Sequence, residues 1–144
     1  MNTAKENNNI VLQLDSLHAV ATQAFMNRDL HAYCNCFTED LQYTQLSGET
    51  INREQLMRDV RPQLKKFKTV DTEFIRQFIT QNLDGTVTQV LKQIASYSTT
   101  VLLFFRKEWQ VVRQGEYKYR NTEEGWKIYA VKILEESVSE NTRS

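Results

Sequence analysis

The hydrophobic pattern of this chain changes type once, near Lys66, and this change constrains the fold more than any other feature. Before it, apolar residues from Ile10 onward recur every three or four positions, which is the spacing of an amphipathic helix. After it, β-branched and aromatic residues alternate with polar ones, as they do in strands. Helices grouped before strands predict an α+β domain in which the helices pack on one face of a curved, mainly antiparallel sheet.

The first half of the chain predicts three N-terminal helices. The first covers residues 10–27, and Asp29 can cap a short second helix through the segment LHAYCNCF. Asn52 and Gln55 have the spacing of a capping box, so a third helix should begin there. Pro62 lies inside that third helix and predicts a kink, because proline lacks the backbone N–H and clashes with the preceding turn.

The second half predicts four long strands joined by short turns. Asp84-Gly85 is a turn signal between the first two strands, and the segment RKE at 106–108 should turn the chain into the third. The second strand is long enough to bend or bulge near residues 96–100. The predicted strands are residues 68–80, 86–105, 109–120 and 126–136.

Length and charge favour one globular domain with no strong electrostatic partner. With 144 residues, the chain is expected to form one domain over residues 10–136, between a disordered-type polar tail at 1–9 and a polar tail at 137–144. Lys+Arg and Asp+Glu both number 18, so neither nucleic acid nor a membrane is expected as a partner. A polar N-terminus without an apolar stretch predicts a cytoplasmic location.

The two cysteines predict neither a disulfide nor a metal site. Cys34 and Cys36 are two residues apart, which puts them on different sides of a helix. His31 and Cys34 share a helical face and could supply two ligands of a zinc site. The only other histidine is His18, so the sequence offers no second Cys/His cluster to complete the site. We therefore expect buried or half-buried structural thiols and no metal.

Three segments of the sequence together resemble the nuclear transport factor 2-like superfamily, especially its SnoaL-like and ketosteroid isomerase-like members. They are MNRDLHAYCNCFTEDLQY after the first helix, SGETINREQL at the start of the third, and the closing hairpin YKYRNTEEGWKIYAVKI. Their order and spacing cover residues 10–136. The resemblance implies a cystatin-like α+β barrel with a cone-shaped cavity between the helices and the sheet, and a homodimer formed through the sheet. It implies no cofactor.

The same resemblance argues against ketosteroid isomerase activity. The position of that family's carboxylate base falls on Gln45, and a neutral amide does not accept a proton at neutral pH. The position of its helix-one tyrosine falls near Ala21, which has no polar side-chain atom. Neither the base nor the donor for an oxyanion is therefore expected here.

The third long strand separates cleanly into two faces. One face is aromatic with a single cation, and it is the face expected to look into the cavity. Its members are Trp109, Val111, Arg113, Gly115, Tyr117 and Tyr119. The guanidinium of Arg113 is suited to hold a carboxylate or a carbonyl of a ligand. The alternative is that Arg113 pairs with Glu73 or Asp71 on a neighbouring strand.

The sequence predicts a small-molecule-binding domain with a mostly apolar pocket. The expected ligand-binding residues are Phe25, Tyr33, Tyr43, Trp109, Arg113 and Tyr117. His18 and Tyr43 are weak catalytic candidates for a cyclase, isomerase or dehydratase, although a histidine on this helix is more often a core residue bonded to backbone or tyrosine. A third hypothesis is an oligomerisation or protein-interaction module without a ligand, in which the aromatic sheet face is the interface.

Overall fold

A computed structural model describes residues 4–102 and 105–143, and the side chains of residues 8–99 and 106–141. These residues form three α-helices and six strands. The helices are α1 (Ala4–Met26), α2 (Leu30–Cys34) and α3 (Arg53–Lys66). The strands are β1 (Phe37–Thr44), β2 (Thr50–Ile51), β3 (Thr69–Gln81), β4 (Val87–Leu102), β5 (Phe105–Thr122) and β6 (Gly125–Arg143).

The six strands form one mixed sheet in the order β2-β1-β6-β5-β4-β3. Its only parallel pair among the described residues is β1 with β6, and the other neighbours are antiparallel. Register shifts in β3, β4 and β6 bend the long strands, so the sheet curves around the helices. The predicted α+β class, with helices on a curved and mainly antiparallel sheet, is confirmed.

The third helix begins as its capping box predicts. The Asn52 side chain accepts a hydrogen bond from the Gln55 backbone N–H at 2.9 Å, and the Gln55 side chain accepts one from the Asn52 backbone N–H at 2.9 Å. Four apolar residues of α3 are buried, and the helix continues through Pro62 to Lys66. Its last turn is held by Arg28, which donates from Nε to the Leu64 carbonyl oxygen at 2.8 Å.

Both ends of the chain are more regular than the polar composition predicts. α1 begins at Ala4 and not at Ile10, because Ala4, Lys5 and Glu6 are good helix formers that need no burial to continue the helix. β6 continues to Arg143, through most of the predicted C-terminal tail. Its polar residues pair with β5, for example Glu140 with Trp109, and backbone hydrogen bonding needs no apolar side chains.

Two predicted boundaries around the short helix and the third long strand are wrong. α2 ends at Cys34, and Phe37, expected in that helix, is the first residue of β1. Arg106 to Glu108, expected to form a turn, lie within β5 and pair with the end of β4. Residues 103 and 104, which separate these two strands in the sequence, lie outside the described residues.

The core lies between the helices and the concave face of the sheet. It is made of apolar residues from α1, β1, α3 and the inner faces of β4, β5 and β6. Its most buried members are Leu14, Leu41, Val87, Tyr119, Ile128 and Val131. Among the described residues, no helix has the length and apolar content needed to cross a membrane.

Candidate functional site

A cavity of about 370 Å³ lies between the helices and the concave face of the sheet. Its wall combines apolar and aromatic side chains with a nearly equal share of polar surface, so it is more polar than the sequence predicted. Its exposed lining residues are Leu46 and Ser47, in the connection between β1 and β2, Asp59 and Gln63 on α3, and Glu136 on β6. The cavity therefore opens between this connection, α3 and β6. A volume of this size suits a small organic molecule.

The structure brings most of the predicted site residues together. α1, α2 and β1 contribute residues from the first half of the chain, and β5 contributes the rest. The predicted residues that line the cavity are Phe25, Tyr33, Tyr43, Arg113, Tyr117 and His18. The rings of Phe25 and Tyr33 meet edge to face with centroids 6.0 Å apart, which makes one side of the cavity aromatic.

Trp109 does not line this cavity, although it shares the inner face of β5 with Arg113 and Tyr117. Its ring meets Phe67 edge to face at 5.4 Å, and its indole N–H donates to Glu140 at 3.1 Å. The ammonium group of Lys66 lies 4.9 Å from the ring centroid. Alternation along a strand shows which face a residue occupies, but the cavity extends along β5 only over Arg113 and Tyr117 and not as far as Trp109.

The guanidinium of Arg113 is paired, though with neither of the expected partners. Its Nε donates to a carboxylate oxygen of Glu136 at 2.6 Å. Arg113 and Glu136 are direct cross-strand neighbours on β5 and β6. Glu73 and Asp71 lie on β3, two strands away, where both are exposed on the opposite face. Arg113 therefore pairs with a carboxylate, as the alternative prediction had it, but the carboxylate belongs to Glu136 and not to Glu73 or Asp71.

Four tyrosines surround Arg113 at the cavity wall: Tyr33, Tyr43, Tyr97 and Tyr117. Burial raises the pKa of each of them above the usual value for tyrosine, so all four phenols are protonated at neutral pH. Among the described residues, none of their hydroxyl groups has a hydrogen-bond partner in the protein. Four donors thus face a half-buried arginine without intramolecular acceptors.

Gly115 explains how the Tyr117 ring occupies its place. A Cβ atom at residue 115 would lie 3.0 Å from the Tyr117 ring, tighter than most real Cβ contacts, so the ring would have to move by a few tenths of an ångström. The ring therefore lies over the strand position that lacks a side chain. Glycine at this position of β5 makes room for an aromatic wall of the cavity.

His18 lies between the cavity and a groove on its other side, bounded by α1 and β3. Its Nε2 is 2.6 Å from the Tyr119 hydroxyl oxygen, and that oxygen accepts a hydrogen bond from Gln89 Nε2 at 2.8 Å. Burial lowers the pKa of His18 to about 4, partly offset by the charge of Asp15. The imidazole is therefore neutral at physiological pH and bonded to a tyrosine, as a core histidine would be.

The positions compared with ketosteroid isomerase both lie in the cavity wall. Gln45 and Ala21 line it, so the place where that family carries its base and its tyrosine holds an amide and a methyl group. The carboxylates that line the cavity are Asp59, exposed on α3, and Glu136, held by Arg113. Apart from these two carboxylates and His18, the polar lining consists of hydroxyl and amide groups, which both donate and accept, and of Arg113, which only donates.

Several residues of the candidate site could be found only in the structure. Tyr97 and Glu136 line the cavity, and Gln89 and Tyr119 hold His18. The alternation along β4 places Gln89 and Tyr97 on one face, which was the available signal. No pattern in the sequence pairs them with residues of α1 or β5, because the pairing depends on strand register.

The thiols and histidines form no metal site in the part of the chain that the structure describes. No group of three or more His, Cys, Asp or Glu side chains there is close enough to hold an ion. His31 is exposed and its Nε2 is 3.4 Å from the Asn35 amide. Cys36 is buried, and burial raises the pKa of its thiol to about 11.

The architecture matches many solved structures. A scytalone dehydratase-like protein from Novosphingobium aromaticivorans superposes with a TM-score of 0.79 at 9% identity, over 94% of this chain and 91% of that one. A type 2 hexachlorocyclohexane dehydrochlorinase superposes with a TM-score of 0.71 at 7% identity, over 95% and 93% of the two chains. A domain of cystatin-like fold from Nostoc punctiforme gives 0.63 at 12% identity, over 92% and 78%.

The chain shares the fold of these structures, which is the cystatin-like α+β architecture that the resemblance implied. The predicted resemblance and the cystatin-like architecture are thus confirmed at the level of the fold. No protein-family model matches the sequence, and no curated protein matches it either. At identities this low the neighbours share the fold with this chain, and their activities are not transferred to it.

Proposed function

We propose that this protein binds a small, largely apolar or aromatic molecule that carries a carbonyl oxygen. The observation that supports this most is the set of free donors in the cavity. Arg113 uses only Nε toward Glu136, so its two terminal nitrogens have no hydrogen-bond partner among the described residues. The four tyrosine hydroxyls around these nitrogens likewise have no hydrogen-bond partner among the described residues. A ligand oxygen supplies the acceptor that these groups lack.

The charge of the site favours a neutral carbonyl over a carboxylate. Arg113 and Glu136 already form a half-buried ion pair, with side-chain exposures of 28% and 31%. A ligand carboxylate would add a second anion beside Glu136 and would lose its own hydration on entry. A ketone or quinone oxygen accepts the same hydrogen bonds without adding charge. The apolar walls, including Phe25 and Phe37, suit an aromatic body.

Titration calorimetry with three matched probes tests this proposal: naphthalene, naphthyl methyl ketone and naphthoate. We expect the ketone to bind best. Arg113→Met should weaken ketone binding about tenfold or more, which corresponds to the loss of one hydrogen bond to a charged donor. Arg120→Met is the matched control, because Arg120 lies on the same strand and pairs with Asp40 at the surface. Equal binding of naphthalene and the ketone would contradict the proposal.

Glu136→Gln separates the charge argument from the shape of the cavity. The amide keeps the size of the side chain but leaves Arg113 without a counter-charge. Naphthoate binding should then rise relative to ketone binding, because the ligand carboxylate replaces the lost anion. If naphthoate already binds the unchanged protein more tightly than the ketone, the argument for a neutral ligand is wrong.

A second candidate function is proton transfer at a carbon next to the carbonyl, as in an isomerase, cyclase or dehydratase. It is favoured by the presence of His18 and Tyr43 at the wall of one cavity, and the dehydratase-like and dehydrochlorinase neighbours support it by analogy only. Incubating the probe ketone with protein in heavy water tests it: a proton leaves the methyl carbon and deuterium returns. Exchange that persists in His18→Gln excludes His18 as the base.

We also propose that a second copy of this chain covers the outer face of the sheet. That face carries Ile75 and Phe78 at 41% and 57% exposure, beside Ile94 and Val112 on the next strands. Phe78→Lys should turn a dimer into a monomer in sedimentation velocity, whereas Leu83→Lys, in the exposed loop before β4, should not. The inner face is covered by helices, so the hypothesis of an interface built on Arg113 and Tyr117 loses its support. A cytoplasmic location stays a prediction from the sequence.

A further inference from the structure

His18 has one ring nitrogen bonded to the protein and one that is not. Nε2 is 2.6 Å from the Tyr119 hydroxyl, and Nδ1 has no hydrogen-bond partner among the described residues. The ring lines the cavity and the groove behind it. Which nitrogen carries the proton therefore decides whether His18 offers a donor or an acceptor to a bound molecule.

Arg76 sets the direction of the hydrogen bonds that reach this ring. A guanidinium only donates, so the atom of Gln89 that faces Arg76 Nε, at 2.8 Å, must be its oxygen Oε1. The amide is thereby oriented, and its Nε2 donates to the Tyr119 hydroxyl oxygen at 2.8 Å. Arg76, Gln89 and Tyr119 are called the hydrogen-bond chain below. Asp15 holds the outer end of it by pairing with Arg76.

The hydrogen bond from Gln89 also determines that Tyr119 donates its phenolic proton to His18. Its hydroxyl oxygen already accepts from Gln89, and its side chain has no solvent exposure. The single phenolic proton needs an acceptor, and His18 Nε2 is the one within reach among the described residues. If Nε2 carried a proton instead, two buried donors would point at each other or the phenolic proton would be left without a partner.

We infer that the hydrogen-bond chain holds His18 as a neutral imidazole with its proton on Nδ1, so that the ring donates a hydrogen bond to a ligand oxygen. Gln89 and Tyr119 act as positioning residues, since they reach the ligand only through His18. The inference rests on the proposed function for the nature of the ligand, a carbonyl compound. His18 then joins Arg113 and the four tyrosines as one more donor at the cavity wall.

The surroundings of the ring agree with this assignment. Phe74 and Tyr117 pack against it, with ring centroids at 4.7 Å and 5.4 Å. The charged groups near it are Asp15 on its own helix and Arg76 on β3, which face each other as a pair. Burial and the Arg76 charge outweigh the Asp15 charge, and the lowered pKa of His18 keeps the ring neutral at physiological pH.

The protonated nitrogen can be read directly from imidazole proton–nitrogen correlations in nitrogen-15-labelled protein. His31→Gln assigns the signals, since His18 and His31 are the only histidines. At neutral pH we expect His18 to carry its proton on Nδ1 in the ligand-free protein. Gln89→Glu should move the proton to Nε2, because a carboxylate only accepts and turns the Tyr119 hydroxyl toward itself.

Gln93→Glu is the matched control, because Gln93 lies on the same strand and the same face but outside the hydrogen-bond chain. It should leave the proton on Nδ1. If Gln89→Glu does not fold, Arg76→Met serves in its place: it frees the Gln89 amide to turn, and both tautomers should appear. A proton on Nε2 in the unchanged protein, or a folded Gln89→Glu variant with the proton still on Nδ1, overturns the inference.

This experiment separates the two proposals because the tautomer is measured without a ligand. A proton on Nε2 overturns the role of the hydrogen-bond chain and leaves ketone binding to be judged by calorimetry. A proton on Nδ1 in a protein that binds none of the three probes supports the chain and overturns the proposed ligand class.

Discussion

The burial of His18 predicts a specific loss of stability in mild acid. Folding lowers the pKa of His18 from 6.5 to about 4, mainly because the buried ring loses its solvation. Between these two values the unfolded chain binds a proton that the folded protein does not. The stability contributed by neutral His18 is therefore complete above about pH 7 and is lost as the pH falls from 6.5 toward 4.

The size of the effect follows from the two pKa values. At pH 5 the unfolded form is almost fully protonated at His18 and the folded form is about one-tenth protonated. Proton linkage then lowers the free energy of unfolding by about 2 kcal/mol relative to pH 7. A domain of this size is stable by only about 5–15 kcal/mol in total, so the change is large enough to measure.

His18→Gln removes the ionisable group and keeps a polar side chain near Tyr119. Urea unfolding at pH 7, 6 and 5 should show a flatter dependence on pH for this variant than for the unchanged protein, by about 2 kcal/mol over the range. His31→Gln is the control, since His31 is exposed and loses little hydration on folding. Equal pH dependence in His18→Gln and the unchanged protein would refute the burial of a neutral histidine.

Three further predictions concern local structure. Arg28 has a φ of 59°, and its side chain donates hydrogen bonds to the Leu64 and Phe67 carbonyl oxygens. Arg28→Ala should therefore lower the free energy of unfolding by about 1–3 kcal/mol, and Arg28→Gly by about 1 kcal/mol less, because glycine relieves the backbone strain. Urea unfolding measures both variants, and a larger loss in Arg28→Gly than in Arg28→Ala would contradict the strain. Asn52→Ala should cost about 1 kcal/mol in the same assay through loss of the α3 cap, whereas Asn52→Asp should cost little; equal losses in both would count against the capping box. At about pH 8 a thiol reagent should modify Cys34 and spare Cys36, which is buried and has a raised pKa. Mass spectrometry should therefore show that the Cys36→Ser variant reacts and the Cys34→Ser variant does not. Rapid labelling of Cys36 in the folded protein would contradict its raised pKa.

The site residues show what strand alternation can predict and what it cannot. It placed Arg113 and Tyr117 on the inner face of β5, and both line the cavity. It also placed Trp109 on that face, but the residue lies beyond the end of the cavity against Phe67. Alternation gives the face of a residue and not its distance from the helices, so it cannot say where along a strand a cavity stops.

The partner of Arg113 shows the same limit for electrostatics. Glu136 lies inside β6, next to a segment that the polar composition assigned to a tail. Glu73 and Asp71 were reasonable partners by charge, yet they lie on β3 with their side chains on the other face. A buried cation predicts that some anion is near it, and only the strand order says which one.

The sequence by itself determined the helical and strand halves of the chain, the order of its long elements and the two faces of β5, because helical and strand periodicity are local properties of neighbouring residues. The capping box at Asn52 and the turn at Asp84-Gly85 are local in the same way. The tertiary structure alone decided the contacts of His18 with Tyr119, which are 101 residues apart, and of Arg76 with Gln89. These contacts depend on sheet order, register and the fit of α1 into the curve of the sheet, and no local pattern encodes them.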